Sequence, residues 1–203
     1  MLRPTLVSGL LILCLMAPCG NMAMAGDPVV DPAALAGLEL RFKGADQEKE
    51  KLYLGVGSAA NLSVAQIKAD RLIIAVLNTY CTICQEDAAV LNLMYKIIEG
   101  TPSLQGRTKL VGIAAGNTEA EVERFRKEFR VPFPLFADTN FSIERAVPKD
   151  LRTPMFITVS NVEGKSLEVV KSRFGSIENV EEFLGQVPRR AMLDGGPSQL
   201  HNN

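Results

Sequence analysis

Tryptophan is absent from this 203-residue chain, and histidine occurs once, at His201 near the end. A structural zinc site, which draws four ligands from Cys and His, could then rest on almost nothing but cysteine. An excess of one charge is missing too: 22 Lys and Arg stand against 23 Asp and Glu, a net charge of −1. The bases are scattered, with no basic cluster and no interleaving with aromatics. Nucleic acid is therefore excluded as a partner, because binding it needs several phosphate-neutralising side chains on one face. A long hydrophobic run is lacking as well. The apolar stretch from Leu6 to Ala17 is about half of the roughly 20 residues that cross a bilayer. Cysteine is sparse, with four in all. What remains is 47% apolar and 22% charged, the balance of one soluble globular domain with a core.

The beginning of the chain has the marks of an export signal: Arg3, the apolar run, and then Ala23-Met24-Ala25, the small-x-small pattern cut by a signal peptidase. Residues 1–25 are expected to be a signal peptide cleaved after Ala25, leaving a periplasmic protein that starts at Gly26. Two readings compete with it. One is an uncleaved membrane anchor. The other is lipidation at Cys19, for which Pro18 and Met16 are poor upstream residues. Cleavage removes Cys14 and Cys19 and takes the net charge to −2, so Cys81 and Cys84 alone remain. Disulfides persist in an oxidising compartment, but a bridge between cysteines three apart closes a very small loop and stabilises little. The pair is a poor staple and a good reactive centre.

Residues 26–61 read as an N-terminal extension: a Pro- and Ala-rich lead-in, then a β-hairpin of Leu38–Phe42 and Lys51–Gly55 joined by a charged turn. Ser63 to Gln66 is a capping box that should open a short helix up to Ala69. Residues 62–188 alternate strand and helix. Leu72–Leu77, Leu110–Ala115 and Met155–Val159 are unbroken apolar runs, as in strands buried on both faces. Between them, Ala88, Leu91, Met94 and Ile98 recur at helical spacing, as do Val122, Phe125 and Phe129 after the capping box Thr118–Glu121. Pro134–Ala137 reads as a short strand and Phe141–Val147 as a short helix or turn. A turn at Glu163-Gly164, a strand Leu167–Phe174 and a helix carrying Ile177, Val180, Phe183, Leu184 and Val187 close the domain. Residues 189–203 have no periodicity and read as a disordered tail. The fold class is α/β, with a central mixed sheet.

Cys81-Thr82-Ile83-Cys84 lies just after a buried strand, at the first turn of an amphipathic helix. The free N–H groups and positive dipole end of a helix start favour a thiolate. In such a turn the first sulfur faces outward and the second is shielded. Cys81 is therefore the candidate attacking thiolate and Cys84 the resolving thiol. A structural zinc site lacks further ligands. A copper-binding pair would want a Met such as Met94 or Met155, but those spacings suit core filling. An inert pair would not sit at a helix start. No metal and no cofactor is expected. Arg152-Thr153-Pro154 precedes the strand at Met155, a place where Pro, which cannot donate to a ladder, is tolerated.

Strand, C-x-x-C, long helix and Thr-Pro opening a later strand together resemble the thioredoxin superfamily, above all its extracytoplasmic TlpA-like and redoxin-type branch. Val131–Asp138 is similar to the segment that redoxin-type members carry before their extra helix. The resemblance implies a thioredoxin-like fold with helices on both faces of the sheet, and thiol–disulfide oxidoreductase activity. It further implies that Pro154 is cis and packs against the disulfide, while Thr153 offers backbone groups to an extended substrate. Cysteine-containing exported proteins and a membrane donor of reducing equivalents would be the partners. Departures are visible too: Tyr80 stands where Trp is common, and Ala75 where cytoplasmic thioredoxins bury an acid. Many TlpA-like proteins have Glu three residues after the second Cys. Asp87 occupies that place, either as a proton relay to Cys84 or as an acid complementing the helix dipole.

The runner-up is a peroxiredoxin-like thiol peroxidase. Those enzymes place Thr three residues before the reactive Cys, where this chain has Asn78, with Thr79 one place off. A redox-inert binding module is the third reading. Direction of electron flow is read from the surroundings. Thr82 and Ile83 carry no charge, and Glu86 and Asp87 oppose a second anion. A strong oxidant needs an over-stabilised thiolate, so a reductant is expected.

Overall fold

Two strands that are unbroken apolar runs from Leu72 and from Leu110 onward, Arg71–Leu77 (β3) and Thr108–Ala115 (β4), run parallel at the centre of the molecule. Every residue of β4, and all of β3 after Arg71, is buried. The computed structural model describes residues 27–147, 149, 151–160 and 167–186. The expected signal peptide 1–25, the turn at Glu163-Gly164, Val187 and the tail 189–203 lie outside them. Leu135–Asp138 (β5) pairs parallel with β4, and Met155–Ser160 (β6) pairs antiparallel with β3. Glu168–Phe174 (β7) adds antiparallel to β6, giving a mixed sheet of order β5-β4-β3-β6-β7.

Alternation divides the side chains of β3 between two apolar layers. Ile73, Ala75 and Leu77 face three helices: α3 (Thr82–Gly100), α4 (Glu119–Phe129) and α5 (Val180–Gln186). Those helices contribute Ala88, Leu91, Met94, Ile98, Val122, Phe125, Phe183 and Leu184, at the spacings read from the sequence. Leu72, Ile74 and Val76 face the opposite way. There they meet the chain's beginning: α1 (Pro32–Ala36), β1 (Glu39–Arg41), α2 (Gln47–Leu54) and β2 (Asn61–Ser63). Helices thus flank both faces, as expected, with a β-ribbon sharing the second.

The hairpin exists but is built differently. β1 pairs antiparallel with β2, not with Lys51–Gly55, which lies largely in α2. Gln47 to Leu54 holds no β-branched residue and is made of good helix formers. Gly55, at φ 69°, supplies the left-handed cap that ends it. The lead-in is not loose either: Asp31 caps α1, accepting from the N–H of Ala33 at 2.9 Å. The capping box at Ser63 is present, with Gln66 accepting from Ser63 N–H at 2.8 Å, but it opens only a 3₁₀ turn, Val64–Gln66. Ile67 is already extended and buried, because the chain must turn into β3.

Candidate active site

Cys81 and Cys84 sit where β3 ends and α3 starts, at the carboxyl end of the parallel strands. Cys81 is the N-cap residue of α3, with extended backbone (φ −76°, ψ 114°), and its Sγ accepts the N–H of Cys84 at 3.3 Å. Cys81 is partly exposed, whereas Cys84 is 1% exposed. Both thiols are free. The asymmetry expected from helical spacing is therefore present. Burial, and after it the hydrogen bond with Cys81, pushes the Cys84 thiol up to about 12. A hydrogen bond with the Asn78 backbone and, after it, one with the Thr153 side chain oppose that shift.

The loop before β6 closes over the pair. The Cys81 thiol donates to the Thr153 carbonyl oxygen at 3.6 Å, and the Thr153–Pro154 bond is cis. Pro154 is buried, while Thr153 keeps partial exposure. Across the sheet, Gly175 N–H donates to the Pro154 carbonyl at 2.9 Å, so the turn after β7 is fastened to the same loop. Asp87 lies one turn beyond Cys84 and is 6% exposed. One of its oxygens, Oδ2, has no hydrogen-bond partner. Burial raises its pKa above the ordinary carboxylate value, against a hydrogen bond from the Ser176 side chain.

Order of elements, cis peptide, cysteine placement and sheet topology together decide the architecture. The chain has the thioredoxin fold. Solved structures of that fold superpose on it at low identity. A Chlorobium tepidum structure, described as a thiol:disulfide interchange protein DsbE, gives a TM-score of 0.54 at 11% identity, covering 79% of this chain and 94% of that one. MTB DsbF, in mixed oxidised and reduced forms, gives 0.52 at 16% identity, covering 76% and 95%. The thioredoxin domain of a Bacteroides vulgatus thiol-disulfide oxidoreductase gives 0.50 at 14%, covering 63% and 86%. No family model and no curated protein matches the sequence.

Within this thioredoxin fold, the segment before the cysteines is held by groups that sequence patterning missed. Asn78 is fully committed: its Nδ2 donates to Ala115 O at 2.8 Å, its Oδ1 accepts from Tyr80 N–H at 2.9 Å, and its carbonyl accepts from Cys81 N–H at 3.0 Å. Asn117, 1% exposed, accepts the N–H of Thr79 at 2.9 Å. Gln85 Nε2 donates to Thr79 O at 2.8 Å. Tyr80 is 65% exposed, and its hydroxyl donates to Glu121 Oε1 at 2.5 Å. Only the capping box Thr118–Glu121 signalled any of this in advance. Among the described residues, no group of three or more His, Cys, Asp or Glu is placed to hold a metal ion. No helix among them is long and apolar enough to cross a membrane.

Proposed function

We propose that this protein is an exported thiol–disulfide oxidoreductase that reduces disulfides of other exported proteins through Cys81 and Cys84. The observation that carries the reading is the inequality of the two thiols: Cys81 half-open at a helix start and Cys84 sealed beneath it. The Cys81 thiolate attacks one sulfur of a substrate disulfide. The substrate S–S bond breaks, the departing thiolate takes a proton, and a Cys81–substrate disulfide forms. Cys84 then loses its proton and attacks Cys81 Sγ, which releases the second substrate thiol and leaves the Cys81–Cys84 disulfide. Two electrons have passed to the substrate. A thiol held up near 12 needs a base for that second step. Asp87 is the candidate, since a desolvated carboxylate with an unpartnered oxygen is a stronger base than one in water.

Thr153 would lie along an incoming extended segment, offering its backbone beside Cys81, with Pro154 as the apolar floor. Export rests on the leader-like residues 1–25, and the reductive direction on the lack of positive charge between and just after the cysteines. Electrons would then be returned by a membrane-bound thiol donor. The test is a Cys84→Ser trap in the export compartment: mixed disulfides on Cys81 with other exported proteins are expected, and none in a Cys81→Ser control. Equilibration with glutathione buffers sets the direction. A potential below about −200 mV supports a reductant, and one near −120 mV, the range of a strong oxidant, removes that half of the reading.

A further inference from the structure

The ring of Tyr80 stands next to the nucleophile, mostly in solvent, yet it is not free to turn. Its hydroxyl is bonded to Glu121 at the start of α4, 41 residues on. Glu121 is itself fixed: Oε2 accepts from Thr118 N–H at 2.7 Å and Thr118 Oγ1 at 3.0 Å, with Asn117 Nδ2 at 3.5 Å. Arg124 also bears on the Tyr80 hydroxyl. Asn117 in turn holds the backbone of Thr79. Backbone and side chain of the residues before Cys81 are therefore gripped from one five-residue segment, 117–121, at the start of α4 and its entry. These bonds, that from Tyr80 foremost, pull the Glu121 carboxyl down to about 2, so it stays ionised throughout the neutral range. Beyond Cys81, Ile83 is 51% exposed. Tyr80 and Ile83 thus offer exposed apolar surface one residue before and two residues after Cys81, a rim that flanks it along the chain.

We propose that Glu121 is a positioning residue of the active site, which fixes the Tyr80 ring as one side of the rim against which a polypeptide disulfide docks. The inference rests on the oxidoreductase reading and adds a determinant of substrate affinity. An exposed tyrosine samples several rotamers, and ordering a side chain on binding costs free energy. A ring ordered beforehand by a charge-assisted hydrogen bond has already lost that freedom. A small aliphatic disulfide offers the rim little surface, so its reaction with Cys81 depends little on the tether.

The test compares Tyr80→Phe, Glu121→Ala, Glu121→Gln and the double variant Tyr80→Phe/Glu121→Ala with the wild-type chain. Insulin and a small aliphatic disulfide serve as substrates, with the reaction of Cys81 with iodoacetamide as a third readout. Tyr80→Phe keeps the ring and the whole capping box, and removes the tether alone. Expected is a rise in KM for insulin of roughly three- to tenfold, the scale of one hydrogen bond, the same in Tyr80→Phe and Glu121→Ala and no larger in the double variant. Glu121→Gln, which still accepts from the hydroxyl, should recover most of the loss. Small-disulfide and iodoacetamide rates should stay at wild-type values. Additive effects, an unchanged KM in Tyr80→Phe, or equal losses on small and large substrates overturn the positioning role. If wild-type protein itself fails to reduce insulin while Cys81 still alkylates, the oxidoreductase reading has failed instead.

Discussion

The ring of Phe141 occupies the space that a β-carbon on Gly116 would need: such an atom would lie 2.1 Å from Cζ. Gly116 also sits at φ 72°, a conformation that favours glycine. It ends β4 just before Asn117, the residue that holds Thr79. The backbone at Phe141 is held in turn, because Asp138 accepts from Phe141 N–H through its carbonyl, and from Ser142 and Ile143 N–H through its carboxylate at 2.7 and 2.9 Å, while the ring itself is 45% exposed.

Gly116→Ala is therefore expected to destabilise the protein by about 2–4 kcal/mol, the sum of a strained backbone and an overpacked contact. Adding Phe141→Ala should return the overpacking part and leave the backbone part. Denaturant unfolding measures both. A single variant within about 0.5 kcal/mol of wild type would show that this loop yields easily.

Asp87→Asn separates stability from chemistry. The folded-state pKa of Asp87 is raised by burial, so its neutral form suits the fold. The contribution of Asp87 is favourable below the unfolded value of about 3.9 and is lost as pH rises through the folded one. Asparagine carries no such penalty. The variant should be more stable than wild type at pH 7 by about 1 kcal/mol, with the gap closing below about pH 4. At the same time, release of a Cys81 mixed disulfide by Cys84 should slow by about tenfold or more and lose its dependence on Asp87 ionisation. An unchanged release rate and pH profile would remove Asp87 from the proton path.

Peroxide discriminates the alternative activity. The position three residues before Cys81 carries no hydroxyl, and both ends of the Asn78 amide are already bonded within the loop. Cys81 should consume hydrogen peroxide no faster than an ordinary thiolate. Rapid, saturable consumption coupled to a thiol reductant would favour the peroxidase.

Processing is checked by intact mass. A secreted form beginning at Gly26 is expected, and a lipidated species beginning at Cys19 would overturn the cleavage site.

Much of the fold was legible because its elements obey local rules. β3 and β4 are continuous apolar runs, and α3 and α4 show 3–4 spacing behind a cap. The C-x-x-C was placed at a helix start for the same reason, and the structure puts it there. The second half of the hairpin was misread because Lys51-Leu-Tyr-Leu alternates like a strand, while its fate is set by the cap at Gly55 and by burial of Leu54 against the sheet. Asn117, Glu121 and Ser176 were invisible as site residues. Their partners lie 38, 41 and 89 residues away, and no periodicity encodes a contact of that range.

The N-terminal layer has one more effect, at the border of the sheet. β5 pairs with β4 only from Gly112 on, four residues into β4, which leaves Leu110 N–H with no β5 partner, and the Tyr53 hydroxyl on α2 accepts from it at 2.9 Å. The Leu135 carbonyl on β5 is taken by Arg126, whose guanidinium is also paired with Glu50 of α2 at 2.6 Å. Side chains thus fill backbone positions that a foreign strand would otherwise use, and an edge with its donors and acceptors spoken for is a poor template for pairing with a second chain. The helix that broke the expected hairpin is what blunts this margin against aggregation.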